Sequence, residues 1–195
     1  MPTSALTVAS INQAFQAATI AALGLGTPAG PTDPIYASVR IDWPTEGQPA
    51  WGIGEDVVCI GALLVDDPTD KQRDLVMGTD GGGNPLETIT EQAVWRISWT
   101  FYGPHATAHA RKVRGALFWQ ATHDLLADNA LYVVTNVPQA IRAPEYFQGQ
   151  WWERCDLSAE FNEGVTDTYA PTIAESVEVI VETQDDTVVA DVAIT

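Results

Sequence analysis

Over 93–102 the chain alternates: Ala93, Trp95, Ile97, Trp99 and Phe101 fall on one face, and Arg96, Ser98 and Thr100 on the other. A period of two in aromatic and β-branched residues predicts a half-buried strand. Gly103 and Pro104 break it, because proline presets the angle of a first helical turn and lacks only a donor that would be unpaired there. From His105 the period becomes helical. Ala106, Ala110, Val113, Leu117, Ala121 and Leu125 form an apolar stripe, with Arg111, Lys112 and Arg114 mostly off it. The spacing predicts one helix over 104–128, ended by Asp128 and Asn129. A second alternation sets Trp151, Cys155, Leu157, Ala159 and Phe161 against Trp152, Arg154, Asp156, Ser158 and Glu160, and predicts one strand over 148–162. Two strands bracketing a helix predict one sheet with the helix on its apolar face.

Weaker patterns fill the rest. Residues 1–5 read as frayed. A first helix begins near Thr7 or Ser10, where Ser10 and Gln13 have capping-box spacing, and Gly24 or Gly26 ends it. Ile11, Phe15, Ala18 or Thr19, and Ala22 line its inner face. A proline-rich connector over 27–34 leads to an alternating strand over 35–42, closed by Trp43 and Pro44, and then a loop over 45–55 that carries Trp51. The nearly continuous apolar run over 56–65 predicts a central strand covered on both faces. A polar excursion follows over 66–85. Its glycine-rich part, with Gly81 and Gly82, reads as a hairpin tip reaching toward a neighbouring subunit. It does not read as a phosphate cradle, since a strand follows and no Gly-Lys-Ser/Thr appears. After the helix come a strand over 131–135, a bend over 136–147 and an extended arm over 163–175 that includes Tyr169 and Pro171. Strands over 176–182 and 187–194 close the chain as a hairpin, weakly packed alone.

The fold class is α+β: a twisted, mostly antiparallel sheet with one main amphipathic helix and an N-terminal helix packed on it, extended loops and a C-terminal arm. The chain reads as a single domain over 1–195, with an N-terminal helix and linker (1–34), a core (35–162) and the arm and hairpin (163–195).

Composition narrows the function. Apolar residues make up 46% of the chain, which marks it as globular, and no apolar run reaches the roughly 20 residues of a membrane span. No early Lys or Arg and no signal pattern opens the chain, which points to a protein made in a cytoplasm, or carried in a particle assembled there. Cys59 and Cys155 sit in strand-like contexts and read as buried thiols. A net charge of −17 argues against a surface that reads DNA but not against a wall that DNA slides past. No catalytic set emerges. His105 and His109 lack the neighbouring Glu of a His-Glu-x-x-His site, no Gly-x-Ser-x-Gly elbow exists, and Asp66, Asp67 and Asp70 do not have calcium-loop spacing. No metal, cofactor or catalytic residue is assigned. Arg154 and Asp156 lie on one strand face and read as a local or cross-strand ion pair. Trp151 and Trp152 point to opposite faces; one enters the core and the other needs a second layer or a partner chain.

The order of these pieces is similar to that of the tailed-phage neck and tail terminator proteins. The likeness rests on the alternating strand ending in Phe101-Tyr102-Gly103, the Ala-rich helix with Ala106, Ala110, Arg111 and Leu117, and Gln150-Trp151-Trp152-Glu153-Arg154-Cys155-Asp156-Leu157 followed by Glu160-Phe161-Asn162. It covers 35–182. The resemblance implies a structural virion protein, without catalysis, assembled in the host cytoplasm. Such a protein forms a ring, commonly of six copies, that caps the tail tube and joins the tail to the head connector. Its partners are its own copies, the tail tube protein and a head-completion or stopper protein. A contractile tail adds sheath contacts, and genomic DNA passes through without specific binding. Trp151, Trp152, Arg154, Asp156, Gly81, Gly82, Tyr169 and Pro171 become candidate subunit contacts. Two alternatives stay open: another neck component or a tail tube subunit, and a small acidic enzyme or binding module.

Overall fold

A computed structural model of the chain describes residues 5–41, 51–171, 177–182 and 188–194. The expectations for residues 1–4, for Trp43 and Pro44, and for the turn over 183–186 lie outside them. The fold is mixed α+β, with a mostly antiparallel sheet. Two compact units divide the chain: Met1–Asp74 with Thr90–Asp167, and Leu75–Ile89 with Thr168–Thr195.

In the first unit, strands β1 (Val39–Ile41), β2 (Val57–Val65), β4 (Pro85–Tyr102), β9 (Arg154–Tyr169) and β5 (Leu131–Val133) lie side by side in that order, and β6 (Ile141–Arg142) pairs with β9. β1 runs parallel to β2, and β2 antiparallel to β4, with Val58 opposite Phe101 and Ile60 opposite Trp99. The alternation therefore sorts the sheet by face. Val58, Ile60, Trp95, Ile97, Trp99, Phe101, Cys155, Leu157, Ala159 and Phe161 enter one core beneath helices α1 (Val8–Leu23), α3 (Ala106–Ala116) and α4 (Gln120–Ala127). Phe15 sits edge-on to Phe161 at 4.5 Å and to Trp99 at 5.9 Å. The Trp99 indole donates to Thr19 Oγ1 at 2.9 Å, so its polar edge is satisfied in the core. The opposite face carries a smaller cluster of Trp51, Val57, Cys59 and Tyr102, with Trp152 packed against it. β2 is thus central as its composition predicts. It is covered on both faces only over its first four residues; Leu63 and Leu64 are exposed.

In the second unit, β10 (Val177–Glu182) and β11 (Val188–Ile194) form the antiparallel terminal hairpin read from the sequence. The segment Leu75–Ile89 holds most of β3 (Arg73–Thr79) and the start of β4, which pair with each other.

Several boundaries move, each for a local reason. α1 is capped by Thr7, whose Oγ1 accepts from Ser10 N; the Ser10–Gln13 spacing is not used as a box. Gly24 closes the helix in the left-handed region, as expected. The strand over 35–42 is a helical turn, α2 (Ile35–Ser38), followed by β1. Asp33 accepts from Ile35 N and Ala29 N and bends the chain into that turn. The excursion over 66–85 contains a 3₁₀ turn, Pro68–Lys71, and strand β3. The helix over 104–128 is two helices. Phe118 N and Trp119 N tighten onto Gly115 and Ala116 carbonyls, Trp119 turns extended, and α4 restarts from it. Thr122 and Leu126 are buried, the expected Ala121 is exposed, and the expected Leu125 is half-buried against the core. The bend over 136–147 holds β6 and β7 (Glu145–Phe147). The strand over 148–162 splits at Glu153 into β8 (Gln150–Trp152) and β9, because the Glu153 carbonyl accepts from Gly103 N at 3.3 Å.

The largest shift is at the arm over 163–175: β9 continues through it to Tyr169. Glu163 is 1% exposed, and its carboxylate accepts from Trp95 Nε1 at 2.6 Å and from Leu6 N. A glutamate that reads as loop is in fact the polar tie between β9, β4 and the N-terminal segment.

Candidate functional site

The block richest in tryptophan builds a surface in the first unit, and its anchor is Arg154. The guanidinium donates to both Asp156 oxygens, at 2.8 and 2.9 Å, and to Glu145 Oε2 at 3.1 Å. The same Glu145 oxygen accepts from the Tyr102 hydroxyl at 2.9 Å. Arg154 is therefore held protonated, chiefly by Asp156. Burial, and next the Glu145 bond, push the Tyr102 phenol up. A bidentate, half-buried Arg–carboxylate pair is geometrically specific, so this network fixes where β7 meets β9.

β7 and β8 form their own antiparallel ribbon, with Glu145 opposite Trp152 and Tyr146 opposite Trp151. Gln148 and Gly149, both at positive φ, make the two-residue turn. Period two then separates the tryptophans. Trp152 faces inward, edge-on to Tyr102 at 6.4 Å and to Phe147 at 6.2 Å. Trp151 faces outward, 68% exposed, beside an equally bare Tyr146 at 5.2 Å. Outside the ribbon, Arg142 pairs with Glu153. Within the inner cluster, Arg40 lies over the Trp51 ring at 4.9 Å. Among the described residues the buried indole nitrogens of Trp51 and Trp152 have no acceptor. A buried donor left unpaired costs about 1–3 kcal/mol.

Of the residues singled out from sequence, Trp151, Trp152, Arg154 and Asp156 come together here. Gly81 and Gly82 lie in the β3–β4 turn, where Asp80 accepts from Gly82 N at 2.8 Å and Asn84 N at 2.9 Å. Those bonds hold the Asp80 carboxyl below its usual range, the Asn84 side chain first. Tyr169 ends β9 exposed, and Pro171 follows half-buried. Sequence reasoning missed Tyr146 and Glu145, which sat in an expected bend, and the exposed Phe118 and Trp119, which sat inside an expected continuous helix. The aromatic pairs on either side of Gln148-Gly149, Tyr146-Phe147 before it and Trp151-Trp152 after it, were the available signal for the ribbon.

A second group of chemistry-bearing residues lies at the start of α3. His105 Nδ1 meets Asp56 Oδ2 at 2.8 Å, and the same carboxylate caps the helix through His105 N. Burial lowers the basicity of His109, 6.0 Å from His105 ring to ring. Among the described residues no three His, Cys, Asp or Glu side chains are placed to hold a metal. A groove of about 620 Å³ beside α1 is lined by Gln13, Gln16, Ile20, Tyr36, Ile41 and Leu125 among others, with no Asp, Glu, His, Lys, Arg or Cys among the described residues that line it. No helix among the described residues is long and apolar enough to cross a membrane.

A family model described as phage neck terminator protein matches residues 9–190. No curated protein matches the chain.

Proposed function

Because the chain belongs to the phage neck terminator family, we propose that it closes as a ring, of six copies, on the end of the tail tube and joins the tail to the head connector. The family match over 9–190 carries this reading. The role is structural and proceeds without catalysis. The partners are other copies, the tail tube protein on one side and a head-completion or stopper protein on the other, with sheath contacts added in a contractile tail. A net charge of −17 per copy suits a conduit that lets genomic DNA pass without holding it.

A ring needs contacts between different patches of identical subunits. The exposed Trp151 and Tyr146 pair has the composition of an interface centre. In this reading Trp152, Arg154 and Asp156 position the ribbon that presents Trp151. The β3–β4 turn with Gly81 and Gly82, and the segment carrying Tyr169 and Pro171, supply further contacts. Light scattering and electron microscopy of the purified protein, alone and with tail tube ends, test it. Closed particles of one size are expected. Open filaments would instead identify a tube subunit, and a monomer that never engages tube ends would overturn the reading.

A further inference from the structure

The elbow between α3 and α4 pairs cations with bare aromatics. α3 carries Arg111, Lys112 and Arg114, three of the nine Lys and Arg in a chain of 26 acids. Lys112 Nζ donates to the Leu23 carbonyl at 2.7 Å, and Arg114 to the Val137 and Pro138 carbonyls at 2.9 and 2.8 Å. These partners are neutral, so both charges persist. Arg111 is exposed and, among the described residues, has no hydrogen-bond or ion-pair partner. Arg111 and Arg114 lie at i and i+3 on one face of α3, and the Arg114 guanidinium stands 6.0 Å from the ring centre of Phe118, two residues past the helix end. Phe118 and the adjoining Trp119 are about half exposed. The nearby Asp124 accepts from Gln120 at 2.7 Å. Arginine with exposed Phe and Trp takes an apolar segment that carries negative charge.

The chain itself supplies such a segment. All seven residues of β3 are exposed, including the consecutive Leu75, Val76 and Met77. In a strand, consecutive residues present apolar surface on both faces. Residues 73–90 hold Asp74, Asp80 and Glu87 against one cation, Arg73, whose charge is met by Glu91 at 2.7 Å. An exposed apolar edge is normally guarded by charge or covered by a partner. We infer that the α3–α4 elbow of one copy docks the β3–β4 hairpin of a second copy, with Phe118 and Trp119 against the β3 apolar run and Arg111 against its carboxylates. The inference rests on the ring reading, and the two patches are the two unlike halves that a head-to-tail contact requires. Apolar area supplies the affinity, and the charge pattern sets register and rejects other pairings.

Mixed cross-linking tests it. One tagged copy carries Phe118→Cys and a differently tagged copy Val76→Cys; the native Cys59 and Cys155 are buried and do not compete. A short bis-maleimide is expected to join the two tags. Arg111→Glu should lower the yield about tenfold, and Glu87→Arg on the other copy should restore it to within about twofold. Circular dichroism of Arg111→Glu is expected to be unchanged, since Arg111 is exposed and holds no bond among the described residues. Closed rings without the cross-link, or a yield indifferent to Arg111→Glu, would overturn the docking and leave the ring reading standing. Cross-links without rings would support the docking and remove the ring reading; neither product would remove both.

Discussion

Glu163 shows how one polar residue redirects a segment. Its carboxylate is buried and serves two donors, Trp95 Nε1 and Leu6 N. Glu163→Ala leaves both unpaired and is expected to cost about 2–4 kcal/mol in urea unfolding, whereas Glu163→Gln keeps one acceptor and costs roughly half as much. Equal losses in the two variants would mean that the side chain acts by packing alone. Cys59 is a second residue-level case. Burial pushes its thiol up from 9.0 to about 11, against a smaller opposing pull from Arg40. A group whose pKa is raised by folding contributes stability that is complete below its unfolded pKa and is lost as pH climbs to the folded one. The native protein is therefore expected to weaken between pH 9 and 11, and Cys59→Ala to flatten that part of the stability profile. Its thiol should resist aromatic disulfide reagents at pH 8 until the chain unfolds.

At the scale of elements, the ribbon β7–β8 separates stability from assembly. Trp152 packs on Tyr102 and Phe147, so Trp152→Ala is expected to cost about 2–4 kcal/mol in thermal unfolding. Trp151 is exposed, and Trp151→Ala should stay within about 0.5 kcal/mol of the parent while reducing the assembled fraction seen by light scattering. A matched loss of stability in both variants would remove Trp151 from the proposed contact. The end of β9 gives a second element-level prediction. A chain ending at residue 162 lacks Glu163 and Val165, both buried, and should show no cooperative melt. A chain ending at Pro171 keeps the whole strand and should melt cooperatively; both chains can be compared by circular dichroism. That boundary was not legible in the sequence. The alternation in β4 and the first half of β9 was, because apolar residues recur every second position and the opposite face is polar. Beyond Phe161 the inward positions are Glu163 and Val165, and a carboxylate breaks the apolar pattern unless its donors, far away in sequence, are known. The break between α3 and α4 was hidden for the opposite reason. The stripe continues through Leu117 to Ala121 and Leu125, and only the extended Trp119 shifts the phase to Thr122 and Leu126. Period alone separated Trp151 from Trp152 but put Trp151 on the face of Cys155 and Leu157, whereas Trp151 is exposed and Trp152 packs inward on Tyr102, because the strand breaks at Glu153. Their ribbon was not legible, because Glu145 and Tyr146 become strand only through pairing with Trp152 and Trp151.

For the whole molecule, charge is the governing quantity, and where the cations lie decides its effect. Lys71, Arg73, Arg96, Arg142 and Arg154 sit in ion pairs, while Arg40, Lys112 and Arg114 donate to backbone carbonyls. Eight of the nine cations are thus tied up in holding elements in place, and the 26 acids outnumber them almost three to one. With nine Lys and Arg against 26 acids and eight of those cations already held by carboxylates or carbonyls, duplex DNA should show no gel retardation even at about 50 mM salt, where a basic surface would bind it strongly. The same surplus acts between copies. At about 10 mM salt the screening length is near 30 Å, so each subunit feels most of its neighbour's charge; at about 150 mM it is near 8 Å. A local pair such as Arg111 with a neighbouring carboxylate contributes only about 0–1 kcal/mol at an exposed site, too little to offset repulsion between bodies of charge −17. Closure into rings is therefore expected to rise with ionic strength across this range, followed by light scattering at fixed protein concentration. An assembled fraction that falls steadily with added salt would mean that ion pairs, not apolar area, hold the subunits together.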